Sequence, residues 1–237
     1  PISRLHELGY THDKNGNPLT SDDQILELFV QDVILPEDSS TCLFNSTKYI
    51  DDLLQKLYKL EGEYFLSSKN DLIGHLIMGL APHTSVGIIG RIIGFTPSKV
   101  CLAHPYWHSS KRRDCDGDED AIILLLDVFL NFSKEFLPAQ IGGFMDAPLM
   151  TQILVIPKEV QRQAQNIDYS QYYHKLFYEN TQESPLPQKI SHLMDIAKDR
   201  LGKQEQFSEF NFTHYTSTLH TKHVKSNYTT LKTTNEK

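Results

Sequence analysis

Apolar and polar positions change rhythm several times along this chain, and each rhythm predicts an element. In QILELFVQDVILP (24–36) the two kinds partly alternate and β-branched residues are frequent, which predicts a strand. Between Asn45 and Leu60, apolar residues recur at Ile50, Leu53, Leu54 and Leu57 behind the polar start NST, the spacing of one helix face. The stretch from Asp71 to Val100 is apolar and punctuated by Gly74, Gly79, Gly87, Gly90 and Gly94, which suits tight backbone turns better than one long helix. In DAIILLLDVFLNFSKEFLP (120–138), Asp127, Asn131, Lys134 and Glu135 follow a helical stripe, although Ala121 to Leu126 fits a buried strand equally well. TQILVIP (151–157) is strand-like. Ile190, Leu193, Met194, Ala197 and Leu201 mark a helix entered through Pro187 and stopped by Gly202. Near the start, GYTHDKNGNPLT is turn chemistry centred on Asn15-Gly16-Asn17-Pro18. The Thr-, Lys- and His-rich end, from Phe210 onward, is expected to be extended or loosely ordered. No internal repeat is visible.

Composition narrows the class. With 237 residues, 39% hydrophobic and 22% charged, the chain can bury a core of one large domain or two small ones. Cys42, Cys101 and Cys115 lie far apart and form no CxxC pair, so no zinc site is expected in this segment and the compartment is expected to be reducing. No apolar run is long enough to span a membrane, and PISRLHELGY is not a signal peptide. A cytoplasmic location is the expectation, and the sequons at Asn45, Asn131, Asn211 and Asn227 then carry no message. The net charge of −7 by itself argues against nucleic-acid binding. The chain opens on Pro1 and ends in TTLKTTNEK, as expected of a piece of something longer.

The densest chemistry lies in KRRDCDGDED (111–120), where three bases run into five acids just before an apolar segment. An EF-hand loop opened at Asp114 would need glycine at its sixth position and glutamate at its twelfth; Glu119 and Leu125 stand there instead. A phosphatase loop would need an apolar strand before its first aspartate, which WHSSKRR is not. Two readings remain, a solvated acidic turn and a cation site. Two carboxylates about 5 Å apart repel by roughly 3 kcal/mol at an effective dielectric of 20, against under about 1 kcal/mol in water. The cluster is tethered at a core boundary, and Gly117 lets Asp116 and Asp118 converge, so an oxygen-seeking divalent metal, Mg²⁺ first, is the natural tenant. Lys111, Arg112 and Arg113 could meet a triphosphate or nucleic-acid backbone, or simply balance the acids. Arg91 is the only charge in SVGIIGRIIGF and needs an anionic partner, either a structural carboxylate or a substrate phosphate. His83, His104 and His108 fit hydrogen-bonded structure better than catalysis, and Asp146 fits a turn.

APHTSVGIIGRIIGF, CLAHPYWHSSKRRDCDGDEDAIILLLD and GGFMDAPL, in this order and spacing, resemble the large subunit of archaeal family-D DNA polymerase. The similarity runs from ELGYTHD to YTTLKT, and the DxDGD core also resembles the metal loop of multisubunit RNA polymerases. The resemblance implies an α+β fold: a double-psi β-barrel of the two-barrel polymerase superfamily with flanking helices. It places the barrel region with its inserted helix and acidic loop in residues 1–157 and a helical and extended extension in 158–237. It implies that Asp116 and Asp118 are catalytic, and that Asp114, Asp116 and Asp118 hold Mg²⁺, for which Mn²⁺ can substitute. Asp114 is a departure, since the family more usually has Asn there. Arg91, Lys111, Arg112 and Arg113 are the phosphate-binding candidates. The implied reaction joins a primer 3′-hydroxyl to the α-phosphate of a deoxynucleoside triphosphate. The implied partners are primer–template DNA, dNTPs, a small exonuclease subunit supplying 3′–5′ exonuclease activity to the holoenzyme, and a sliding clamp, with no membrane. The facing barrel and its lysines lie outside this segment, so the piece alone is expected to be inactive. An RNA-synthesising relative and a non-catalytic metal-dependent interaction domain are the alternatives.

Overall fold

Asp32–Pro36 (β1), Leu76–Leu80 (β2) and Val86–Thr96 (β3) form the centre of a sheet that Leu102–Ala103 (β4), Ala121–Leu124 (β5) and Met150–Gln152 (β6) extend. The computed structural model describes residues 2–82, 84, 86–113, 119–136 and 150–211. The strand order is β4-β1-β3-β2-β5, with β6 also paired to β3. The antiparallel partner β2 takes one stretch of β3, with Leu76 opposite Arg91 and Leu80 opposite Gly87. Two parallel partners follow each other along β3: β6 beside Val86–Ile88 and β1 beside Arg91–Thr96. The other contacts, β1 with β4 and β2 with β5, are antiparallel. The architecture is thus mixed α+β.

The helices are Ile2–Glu7 (α1), Glu37–Asp52 (α2), Pro105–Ser110 (α3), Asp127–Phe136 (α4), Lys175–Thr181 (α5), Pro187–Ile190 (α6) and Ala197–Arg200 (α7), joined by short 3₁₀ turns. The apolar stretch after Asp71 is not one long helix, but most of its glycines lie within β2 and β3 rather than at tight turns; of the five only Gly74 takes a positive φ. Both faces of β3 are covered, which is why VGIIGRIIGFT reads as nearly continuous apolar sequence rather than as alternation. On one face Ile88 and Ile92 join Val33, Leu35, Leu43, Leu72, Ile77, Trp107 and Leu124 in the main core. On the other, Ile93 packs with Tyr10 and Leu19, beneath α1.

Several predicted boundaries are corrected. The expected strand over 24–36 is confined to β1, because Gln24 turns its side chain back to accept from the backbone N–H of Thr20 and Ser21 at 2.6 and 2.8 Å. The helix expected from Asn45 starts at Glu37, where two first-turn acids suit the helix dipole. Its buried stripe includes Ser40 and Thr47, polar residues that hide the periodicity. Beyond Asp52 it widens into a π-helical stretch, Leu53–Tyr58, that ends at left-handed Lys59. In 121–136 both readings are realised in turn, first β5 and then α4. Of the expected TQILVIP strand only Thr151 and Gln152 pair, continuing from Met150. The helix expected over Ile190–Leu201 is broken between α6 and α7, because Ile196 bridges to Asp168 and the backbone around it bonds to Ile167 and Tyr169 instead. The turn at 9–20 forms as expected. Asp13 accepts from the backbone N–H of Asn15 and Asn17, and Gly16 takes a φ of +81°. His83, Asp146 and the chain beyond Asn211 lie outside the described residues.

Candidate functional site

Two glycines prepare the floor of the site. Gly79 in β2 and Gly90 in β3, diagonal neighbours across the strand pair, lie under the indole of Trp107, which is fully buried. A Cβ on Gly79 would come within 2.6 Å of that ring, and one on Gly90 within 3.0 Å. The indole N–H donates to the carbonyl of Ile89 at 3.1 Å, which seats α3 flat on the sheet. The start of α3 is set by His104, whose Nδ1 accepts from the backbone N–H of Tyr106 at 3.1 Å, with Pro105 in the first helical position. The Nε2 of His104 then faces the carbonyl of Phe207 at 3.1 Å, so the ring is neutral with its proton on Nε2. Phe210 packs edge-on against His104, and Arg200 holds that segment in place by donating to the carbonyls of Ser208 and Glu209 at 2.7 and 3.2 Å and pairing with Asp195.

Lys111 ends α3 and is itself buried. Its ammonium pairs with Asp120, lies 4.4 Å from the centre of the Trp107 ring and stands 3.3 Å from Nδ1 of His108. Asp120 immediately precedes β5, whose Ala121 is in register with Leu80. Arg112 follows with a φ of +62°, a left-handed conformation uncommon outside glycine, and its Nε is buried without a hydrogen-bond partner among the described residues. Arg113 is engaged in an interaction of its own. Asp114, Asp116 and Asp118 lie outside the described residues.

The phosphate-binding candidates are therefore not gathered into one site. Arg91 lies on the opposite face of β3 from Gly90. Its Nε and Nη2 donate to the two oxygens of Asp32 at 2.8 and 2.7 Å, and Nη2 also reaches the carbonyl of Leu8 at 2.9 Å. Tyr10 donates to the same carboxylate at 2.7 Å. Of the two partners that the sequence left open for Arg91, the one present is a structural carboxylate. Lys111 likewise has a carboxylate and a ring for company, so Arg112 is the described candidate with unused capacity.

The histidines act in structure, and their chemistry gives a pH prediction. Burial pushes His104 down to about 4, the accepting carbonyl of Phe207 only partly offsetting it. Desolvation, with the neighbouring Lys111 and then His104, pushes His108 down to about 3. Protonation would cost His104 its cap on Tyr106 and set His108 against an ammonium. The unfolded chain takes up these protons near pH 6.5. Stability from the pair is therefore full above about pH 6.5 and declines as pH falls toward 4 and then 3. Acid unfolding, followed by the fluorescence of the sole tryptophan, should show this slope. His104→Asn, which keeps a cap without titrating, should flatten it. An unchanged slope would show that His104 is not its source.

Asp114, Asp116 and Asp118 offer carboxylate oxygens, which suit a hard divalent cation. Among the described residues there is no group of three His, Cys, Asp or Glu that could hold a metal. Cys42 and Cys101 are free thiols, and burial pushes Cys101 up to about 12, away from metal-binding thiolate. No described helix is long and apolar enough to cross a membrane.

Along the chain the acidic run falls between the end of α3 and the start of β5, and comparison with known proteins identifies the family. The family model described as DNA polymerase II large subunit DP2, catalytic domain, matches residues 1–237. The chain belongs to this family of archaeal DNA polymerase large subunits. It is 51% identical over 230 residues to the DNA polymerase II large subunit of Methanococcus vannielii, covering 97% of this chain and 20% of that one. It is 49% identical over 218 residues to the namesake of Pyrococcus furiosus, covering 92% and 17%. The Methanothermobacter thermautotrophicus subunit is 48% identical over 218 residues, covering 92% and 20%. The chain thus spans about a fifth of the length of these relatives.

Proposed function

We propose that this chain carries the site of phosphodiester formation in the large subunit of a family-D replicative DNA polymerase. One observation carries the reading: the match to the catalytic domain of that family runs through all 237 residues and includes the acidic loop. The described geometry supports it. Lys111 and Asp120, at the loop's two ends, are fixed to α3 and β5, so the chain entering and leaving the acids starts from rigid elements. The parallel and antiparallel neighbours of β3 are in keeping with a double-psi β-barrel, the fold proposed for residues 1–157.

In this reading Asp114, Asp116 and Asp118 hold Mg²⁺, with Mn²⁺ as a substitute. A bound divalent ion lowers the pKa of the primer 3′-hydroxyl and neutralises charge on the phosphoryl oxygens. The chain's own part is to gather three carboxylates whose mutual repulsion the cation offsets. Arg112, with Nε buried and unpartnered among the described residues, supplies a donor for a substrate phosphate. Arg113 lies next to it in the chain. Lys111 anchors one end of the acidic run through Asp120, while Arg91, bound to Asp32 on the other face of β3, braces the sheet. Primer–template DNA and dNTPs are the proposed substrates. A small exonuclease subunit is the proposed partner, the 3′–5′ exonuclease residing there, and a sliding clamp the proposed accessory.

Primer extension by the full subunit with its small partner, given dNTPs and NTPs in separate reactions, tests this. Extension with dNTPs alone is the expected outcome. Extension with NTPs in preference would make it an RNA-synthesising relative. No product with either, while Mn²⁺ still binds, would favour a non-catalytic metal-dependent domain.

A further inference from the structure

We infer that the open face of α5 and the turn after it, residues 172–186, is a docking surface for the part of the large subunit that lies outside this chain. α5 is 7 residues long, and none of them is buried against the described residues. Its large side chains and those flanking it stand open: Tyr172 is 81% exposed, Leu176 48%, Tyr178 56% and Leu186 66%. Isolated helices shorter than about 12–15 residues are marginal in water even in alanine-rich sequences, and packing of one face supplies what they lack. Local bonds trim the ends of α5 without making up that deficit. Nδ1 of His174 accepts from the backbone N–H of Leu176 at 3.3 Å, and Asn180 donates to the carbonyl of Leu176 at 2.8 Å. Lys175 pairs with Glu179 at 2.8 Å, but both are open to water, and such a pair contributes little.

One end of the segment is tied to the fold. The Tyr173 hydroxyl donates to Asp168, whose other oxygen accepts from the backbone N–H of Ser170 at 2.9 Å, and Asp168 in turn bridges to Ile196. The Tyr173 ring stacks on Phe177, with centroids 4.3 Å apart and planes at 15°. These contacts fix the direction in which the face is presented and leave it uncovered. Its chemistry selects the occupant. Lys175 and Lys189 are balanced by Glu179 and Glu183, so the segment offers no basic track for a phosphate backbone. Tyrosines and leucines with balanced charge suit the core of a protein interface. A helix that cannot stand bare needs a cover that is always present, and the same polypeptide supplies one at high effective concentration. The chain spans about a fifth of the length of its relatives, so about four-fifths of the subunit remains to provide it.

Hydrogen exchange at the α5 amides of the full large subunit, read by mass spectrometry, tests this. The amides should be protected in the large subunit alone, and Leu176→Ala should lower that protection by about tenfold or more, because a covered leucine loses its burial. A bare helix responds the other way, since alanine is the better helix former, so unchanged or raised protection in Leu176→Ala would overturn the inference. Protection that first appears with the small subunit, with primed DNA or with rising protein concentration would also overturn it, and would assign the face to that partner or to a second copy. Free exchange under every condition would leave the face without an occupant and sink the idea. A photo-crosslinking residue, p-benzoylphenylalanine in place of Tyr172, keeps the test decisive even where Leu176→Ala folds poorly. Irradiating the large subunit alone should join that residue to a peptide from outside residues 1–237. A crosslink confined to residues 1–237, or none at all, counts against the inference.

Discussion

Asp116→Ala and Asp118→Ala, each in the full subunit assayed with its small partner on primed DNA, should reduce dNTP incorporation by orders of magnitude and leave the thermal transition nearly in place. The two acids flank Gly117 and lie between Lys111 and Asp120, so both stand on the same short tether. In the proposed reading each substitution removes a charge-bearing oxygen ligand as charge builds on the transferring phosphate, and no described group of His, Cys, Asp or Glu could replace it. Asp114 sets the gradation. Asp114→Asn keeps an oxygen donor and discards one charge, so it should shift the magnesium midpoint upward and regain most activity at high magnesium. Asp118→Asn should stay far lower at any metal concentration. Parent-like turnover by Asp118→Ala would remove it from the catalytic set. A dead Asp114→Asn beside a recovering Asp118→Asn would reverse the order of the three.

What the sequence disclosed follows from where the physics is local. The acidic run, its glycine and its uncharged flank are adjacent in the chain, so the chemistry proposed for the site can be read without any tertiary contact. The helical stripe of α4 and the turn at Asn15-Gly16 are local for the same reason. Arg91 shows the limit. Its need for an anion is evident from SVGIIGRIIGF, yet Asp32, fifty-nine positions away, becomes its partner only because β1 lies parallel to β3 with those two residues in register. Lys111 was open to reading as a phosphate ligand because nothing in KRRDCDGDED says that Trp107 turns its face to the ammonium. The break between α6 and α7 is a tertiary override of good helical spacing: Ile196 gives up its helical bonds to bridge Asp168. The signal most easily missed was a pair of glycines. Gly79 and Gly90 look like turn residues in the sequence, but both sit mid-strand.

Gly79 bears on the packing of α3 through one contact, with the indole of Trp107. Gly79→Ala places a methyl carbon 2.6 Å from Cη2 and 2.7 Å from Cζ2 of Trp107, closer than carbon atoms approach without displacement. The indole has little room to yield, since it is fully buried, packed in the main core and bonded through its N–H to Ile89. Overpacking a core by a single methyl costs about 1–3 kcal/mol, and losing the indole hydrogen bond adds about 1 kcal/mol. For a chain of this size that lowers the melting temperature by roughly 5–10 °C. Gly94→Ala is the control, because a Cβ there meets nothing within 4 Å, and it should be close to neutral. Trp107→Phe added to Gly79→Ala should recover part of the loss, since a smaller ring clears the new methyl. The fluorescence of Trp107 reports the displacement directly in Gly79→Ala, with a red shift expected as the indole leaves its seat. A Gly79→Ala chain as stable as the parent would mean that Trp107 is free to slide across β2 and β3, and α3 would then be no fixed base for the loop.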